Sequence, residues 1–222
     1  MNLREAIKQL EQVVSDVRDA VFADDKTRLR NALALRDEAS LIDSGRSTFD
    51  VVVFGDLNRF KGLNDRHGHD AGDIAINQAG ENLHQLVIEK LNAQAFRQSG
   101  DEFVMLLLQA QLEEFMSETS SFAEISFIHR KESLKTAMSF GYSINDGKTS
   151  FSDLLERAEM ACQYAKEQGD GFCIGWSEEI QRNQLVNFRE RCQTCGAKII
   201  CNVPKQNAPE RMKLCPCCGG TL

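Results

Sequence analysis

Residues Phe49 to Leu57 read FDVVVFGDL, a β-branched run with no polar residue alternating, closed by Asp56 and Leu57. This is the pattern of a strand covered on both faces, so the chain has to supply apolar layers above and below it. Asp56 then lies at the end of an otherwise buried strand, where α/β sheets present groups to ligands. With 222 residues and 42% apolar content, the chain can build one such layered domain plus small appendages. The longest apolar runs, VVVF and FVMLLL, are far too short to span a bilayer. The N-terminal MNLREAIKQLEQ is too charged for a signal peptide, so a cytoplasmic protein without a membrane partner is expected. A formal net charge of -7 argues against a general nucleic-acid-coating role and leaves room for local basic patches.

Three regions follow from the patterning. In residues 1–40, Leu3, Ile7, Leu10, Val14, Val17 and Val21 alternate in steps of four and three, a heptad seam. It fits either a dimerising coiled coil or an amphipathic helix packed on its own domain. Residues 45–180 alternate strand-like and helix-like segments. HDAGDIAINQAGENLHQLVIEKL is helical by period, QLEEFMSETSSF reads as a shorter helix, and AFRQ and FVMLLL as paired strands. LKTAMSFGYSI and GFCIGW read as further strands. SFSDLLERAEMACQYAKEQG reads as a helix capped by Ser150 with Asp153 and stopped at Gly169. The order predicts an α+β fold, a mostly antiparallel sheet covered by helices. Residues 187–222 form a compositionally separate third region.

RQSGDEFV, residues 97–104, places Asp101 and Glu102 on the turn between the two paired strands. A carboxylate pair on that hairpin and Asp56 at a neighbouring strand end can converge on a divalent metal, since hard cations such as Mg²⁺ take carboxylate and carbonyl oxygens and share the site with substrate phosphates.

At this point four separated blocks, GDLNRFKGLNDRHGHDAGD, RQSGDEF, MSFGYS and LLERAEMACQYAK, resemble the GGDEF domain of diguanylate cyclases over roughly Phe49 to Trp176. The resemblance implies a GGDEF-type, nucleotide-cyclase-like (palm-like) sheet and a site for GTP with Mg²⁺ or Mn²⁺. It puts the metal ligands at Asp56, the Leu57 carbonyl and Asp101, with Glu102 as ligand or base. Guanine recognition falls on Asn64 and Asp73, an amide and a carboxylate able to read a purine edge. Phosphate contacts fall on the backbone at Phe60 and Lys61 and on the Lys166 side chain, with Ser99 and Gly100 at the tight turn beside the nucleotide. The implied chemistry is attack of one GTP 3′-hydroxyl on the α-phosphate of another, giving cyclic di-GMP and pyrophosphate across a homodimer. That requirement for two facing domains favours the dimerising use of the heptad seam.

Several positions depart from the family pattern. Ser99 replaces the first glycine of the signature, which is tolerable where the backbone does not need glycine. Asn58 stands where many members carry a second aspartate. Asp170 replaces an arginine that helps hold phosphate, and a carboxylate would repel phosphate. The Arg-x-x-Asp product-inhibition motif would fall at Lys90 and Ala93 and is absent. The N-terminal block DxLTGLxNR is only faintly echoed by DDKTRLRNAL.

The last region holds six of the eight cysteines and all three prolines. Cys192-x-x-Cys195-Gly and Cys215-x-x-Cys218-Gly are two knuckles of the kind that bind tetrahedral Zn²⁺, resembling a zinc ribbon. Disulfides and rubredoxin-like iron are the competing uses of this spacing. Cys201 and Cys217 are spare, and Cys162 and Cys173 are expected as buried thiols of the larger domain. Six Lys or Arg against Glu190 and Glu210 over residues 189–222, a formal +4, leave a protein or nucleic-acid partner open, alongside simple capping of the enzyme domain. The leading expectation is a diguanylate cyclase. Synthesis of another cyclic dinucleotide, or an inactive GTP-binding adaptor acting through the ribbon, are its alternatives.

Overall fold

The structure is a computed structural model that describes residues 2–182 with their side chains, the backbone of 183, 185–191 and 198–204, and Thr194. Two compact units divide at Gly175.

In the first unit β1 (Val51–Leu57) is the central strand, antiparallel to β3 (Glu102–Leu107) on one side and β5 (Glu132–Ile144) on the other. The sheet runs β2 (Gln94–Ser99), β3, β1, β5, β4 (Glu124–His129), with β6 (Cys173–Gly175) parallel to β5. β1 carries almost no polar alternation because its two faces enter two different cores. Val51, Val53 and Leu57 pack with α4 (His69–Leu83), whose last turn continues as a π-helix over His84–Lys90, and with Phe115 of α5 (Gln109–Phe122). Val52 and Phe54 pack on the opposite face with α2 (Ala32–Asp43) and α6 (Phe151–Gln168). Each fully buried Val or Phe side chain contributes about 1.5–3 kcal/mol, so the run commits the sheet to being sandwiched.

The predicted antiparallel sheet, hairpin and capped helix are all present: Ser150 accepts from the Asp153 N–H, and α6 stops at Gly169, φ +142. β4 was not foreseen. Only Ile125 and Phe127 of this edge strand are buried, and two apolar positions are too few for its period to stand out. Cys162 is buried, as expected, whereas Cys173 is only half-buried.

α1 (Leu3–Phe22) opens with a capping box in which Asn2 and Glu5 satisfy each other's backbone N–H. Its apolar seam does not pack on its own domain: Leu3, Ile7, Leu10, Val14, Val17 and Val21 are all exposed, and α1 has no buried residue. α2, in contrast, places Ala34, Leu35 and Ile42 in the core, and Leu29 just before it is buried too.

The second unit begins with a short helix, α7 (Glu178–Asn183), followed by a hairpin of β7 (Leu185–Arg191) and β8 (Lys198–Pro204). Cys192, Cys195, Cys215 and Cys218, proposed zinc ligands, lie outside the described residues. Among the described residues no helix is long and apolar enough to cross a membrane.

Candidate functional site

The site grows from the way α6 lies on the sheet. Gly141 of β5 has no side chain where the helix crosses; a Cβ there would stand 2.1 Å from the Cys162 nitrogen and 2.2 Å from the Ala158 carbonyl. The Cys162 thiol donates to the Ser139 carbonyl at 3.1 Å, and Ser139 is the strand partner of Asp56. One helical turn beyond Cys162 comes Lys166, whose Nζ is 2.7 Å from Asp56 Oδ2. Burial pushes the Cys162 thiol up to about 12, so it serves as packing and not as a nucleophile.

Glu102 pairs directly across from Asp56, which puts both side chains on the same face of the sheet. The Ser99 hydroxyl donates to Glu102 Oε2 at 2.5 Å. Gly100 takes the left-handed conformation the turn needs, φ +43, and Ser99 is not among the positive-φ residues. The serine therefore costs the turn nothing and orients the second carboxylate. Asp101 sits on the same turn, its carbonyl accepting from the Leu57 N–H at 3.4 Å. Burial, then the neighbouring Asp56 carboxylate, hold the Asp101 pKa above the usual range, with Glu102 adding to the effect. Glu159 of α6 is likewise raised, by burial and then by Glu102, and brings in a further carboxylate with no motif of its own to mark it.

Among the described residues no three His, Cys, Asp or Glu side chains form a ready-made metal cage. The donor set nevertheless fits a hard cation. Asp56 and Asp101 repel one another, and Asp56 already draws an ammonium to its oxygen. Mg²⁺ is commonly bound by only one or two carboxylates together with substrate phosphates.

A second group lies on α3 (Phe60–His67) and α4. Arg59, φ +54, turns the chain from β1 into α3, so the first-turn N–H groups of Phe60 and Lys61 belong to the helix's N-terminal end. Asn64 and Gly72 interlock: a Cβ at Gly72 would come within 2.0 Å of Asn64 Oδ1 and 3.0 Å of the Phe60 ring. Asn64 Oδ1 is buried without a hydrogen-bond partner. Asp73, which follows Gly72, is held by Lys26 Nζ at 2.5 Å, a partner not foreseen from the sequence.

The departures acquire partners. Asp170 accepts from Asn58 Nδ2 at 2.8 Å and from Arg59 Nη1 at 3.2 Å, so two of the unusual residues pair with each other. Lys90 is ion-paired to Glu118 at 2.7 Å, and Ala93 is buried. The block DDKTRLRNAL is more than an echo. Asp24 caps its own loop by accepting from the Lys26 and Thr27 N–H groups and the Thr27 hydroxyl, and Asn31 caps α2. Arg97 Nη1 joins Asp24 at 3.1 Å while Arg97 Nε and Nη2 donate to the Gly100 carbonyl, tying this loop to the hairpin tip. Burial alone would raise the Asp24 pKa, but the Thr27 hydroxyl and the Arg97 guanidinium outweigh it and hold it low.

Comparison with known proteins identifies the family. The family model described as "Diguanylate cyclase, GGDEF domain" matches residues 21–171. The chain belongs to the GGDEF diguanylate cyclase domain family. It is 33% identical over 153 residues to the signaling protein YkoW of Bacillus subtilis, covering 63% of this chain and 19% of that one. It is 28% identical over 152 residues to diguanylate cyclase DgcN of Escherichia coli, covering 65% and 37%. The chain thus spans well under half of these relatives' length. Among solved structures, diguanylate cyclase SiaD of Pseudomonas aeruginosa, in complex with its activator SiaC, shares the fold with a TM-score of 0.69 at 21% identity, covering 78% of this chain and 68% of that one. The coiled coil and GGDEF domain of DgcB from Caulobacter crescentus, in complex with c-di-GMP, gives 0.62 at 23% identity, covering 78% and 94%.

Proposed function

We propose that this protein is a diguanylate cyclase that condenses two GTP into cyclic di-GMP and pyrophosphate, each subunit of a homodimer holding one GTP. The observation that carries this reading is the gathering of Asp56, Glu102 and Lys166 on one face at the sheet's end, with Asp101 on the adjoining turn.

Asp56, the Leu57 carbonyl and Asp101 would hold Mg²⁺ or Mn²⁺, which when bound supplies charge neutralisation for the phosphates. The backbone N–H groups of Phe60 and Lys61 and the Lys166 ammonium receive phosphate oxygens. Asn64 and Asp73 read the guanine edge, and Ser99 and Gly100 let the hairpin backbone approach the nucleotide. Glu102, oriented by Ser99, accepts the proton of the attacking 3′-hydroxyl. As the bond from that oxygen to the α-phosphorus of the facing GTP forms, the bond to the bridging oxygen breaks and pyrophosphate leaves; the reciprocal attack by the second 3′-hydroxyl closes the ring and releases a second pyrophosphate. Asp170 engages Asn58 and Arg59, which offsets its charge beside the phosphate-binding turn. Asp56→Ala is expected to abolish metal-dependent pyrophosphate release from GTP. Release undiminished in this variant would contradict the assignment.

The exposed seam of α1 is the element we assign to dimerisation, because two copies can bury what one leaves in water. A Leu10→Glu, Val14→Glu variant is expected to sediment as a monomer and to lose cyclase activity at concentrations where the parent is dimeric. A variant that stays dimeric would move the interface elsewhere. On cysteine spacing, Cys192, Cys195, Cys215 and Cys218 are proposed to bind structural Zn²⁺ in a ribbon that serves an as yet undefined protein or nucleic-acid partner, and the protein is proposed to work in the cytoplasm.

A further inference from the structure

We propose that Lys26 is a specificity-determining residue that acts with Asp73 to read the carbonyl edge of guanine and to reject adenine. This rests on the assignment of Asn64 and Asp73 to the purine and names a contact that assignment did not contain.

Lys26 is a flexible side chain on a fixed base. Its N–H is bonded to Asp24 Oδ1 at 3.1 Å, and its carbonyl accepts from Asn77 Nδ2 of α4 at 2.7 Å. The next residue, Thr27, is buried against Gly80, where a Cβ would come within 2.5 Å of the Thr27 Cβ. The loop is therefore pressed onto α4, one to two turns from Asp73. From that base the ammonium reaches Asp73 Oδ1 at 2.5 Å, and the two side chains remain 46% and 55% exposed. A pair this open adds little to stability, so holding the fold together is a poor account of it. Asn64 Oδ1 is buried against Gly72, whereas the Lys26–Asp73 pair is open to a bound base.

The chemistry of the two purines decides what this arrangement selects. Guanine offers along one edge an acceptor, O6, then two donors, N1–H and the 2-amino group. A carboxylate has about four lone-pair positions, so Asp73 can keep Lys26 on one and still accept from guanine. The ammonium has three donors; with one on Asp73, another can meet O6. Adenine turns this pattern around. Its 6-amino donor faces the ammonium and its N1 acceptor faces the carboxylate, so both pairings are lost.

The test is competition binding of GTP, ITP and ATP to the 222-residue chain with Mg²⁺, for wild type, Lys26→Met, Lys26→Arg and Asp73→Ala. Methionine retains much of the apolar stem and removes the donors. Lys26→Met is expected to weaken GTP and ITP alike by about tenfold, since both carry O6, while ATP is unchanged or tighter, and Lys26→Arg is expected to restore the preference. GTP binding unchanged or tighter in Lys26→Met would overturn the proposal, making Lys26 a tether or a competitor for Asp73. If Asp73→Ala removes the preference for GTP while Lys26→Met does not, only the role of Lys26 falls. If Asp73→Ala leaves the preference intact, the base-reading assignment falls and this proposal with it.

Discussion

Gly141→Ala is expected to lower stability by about 3 kcal/mol, at the upper end of what overpacking usually costs, and to reduce Tm by roughly 6–12 °C for a chain of this size. The atoms a methyl group would strike, the Cys162 nitrogen and the Ala158 carbonyl, are helix backbone and cannot rotate aside. Relief requires α6 to lift off β5. Because Cys162 and Lys166 ride on the same helix, the lift would also part Lys166 from Asp56 and break the thiol bond to Ser139. Thermal denaturation of the variant, with GTP affinity measured below its Tm, checks both consequences together. An unchanged Tm would show that the helix does not depend on this glycine.

Asp101→Asn is expected to have opposite effects on activity and stability. Cyclase activity should fall on the order of 100-fold or more, since even outer-shell changes around metals cost 10–100-fold and this residue is assigned as a ligand. Stability at neutral pH should rise. Burial and then Asp56 hold the Asp101 pKa above its ordinary 3.8. Between that ordinary value and the raised one, the native state binds more proton than the unfolded chain, so this group's contribution to stability declines as pH rises through the window. Above it the ionised carboxylate is a net cost, which asparagine removes. Added Mg²⁺ should raise the Tm of wild type by more than that of Asp101→Asn. A less stable Asp101→Asn at neutral pH would mean that the carboxylate is a structural ligand of the hairpin rather than a charge held in readiness.

The features that were legible in the sequence had a signal confined to a few neighbouring residues. Val51 to Phe54 announce a doubly covered strand, Ser99 to Glu102 a turn, and Ser150 and Gly169 the ends of α6. Relationships that depend on which distant side chains meet were not legible. Lys26 and Asp73 are 47 residues apart, and Asn58 and Asp170 are 112 apart, so no local period records either contact. Asp170 read alone is a carboxylate that repels phosphate; in the fold it is the acceptor for Asn58 and Arg59. Glu159 falls on the inner stripe of α6 with Cys162 and Lys166 by helical spacing, yet only the position of Glu102 on the facing strand brings it into the acidic group. The heptad seam was clear as a pattern, and one chain's structure narrows its uses because none of its six residues is buried.

The central claim is tested most directly by incubating the zinc-supplemented 222-residue protein with GTP and Mg²⁺, in parallel with ATP and with mixed nucleotides, and identifying the products by mass spectrometry. Cyclic di-GMP from GTP in the wild type, absent in Asp101→Asn, is the predicted result. A wild type that binds GTP as a dimer and yields no dinucleotide from any mixture would contradict the cyclase assignment and leave a GTP-binding adaptor in its place.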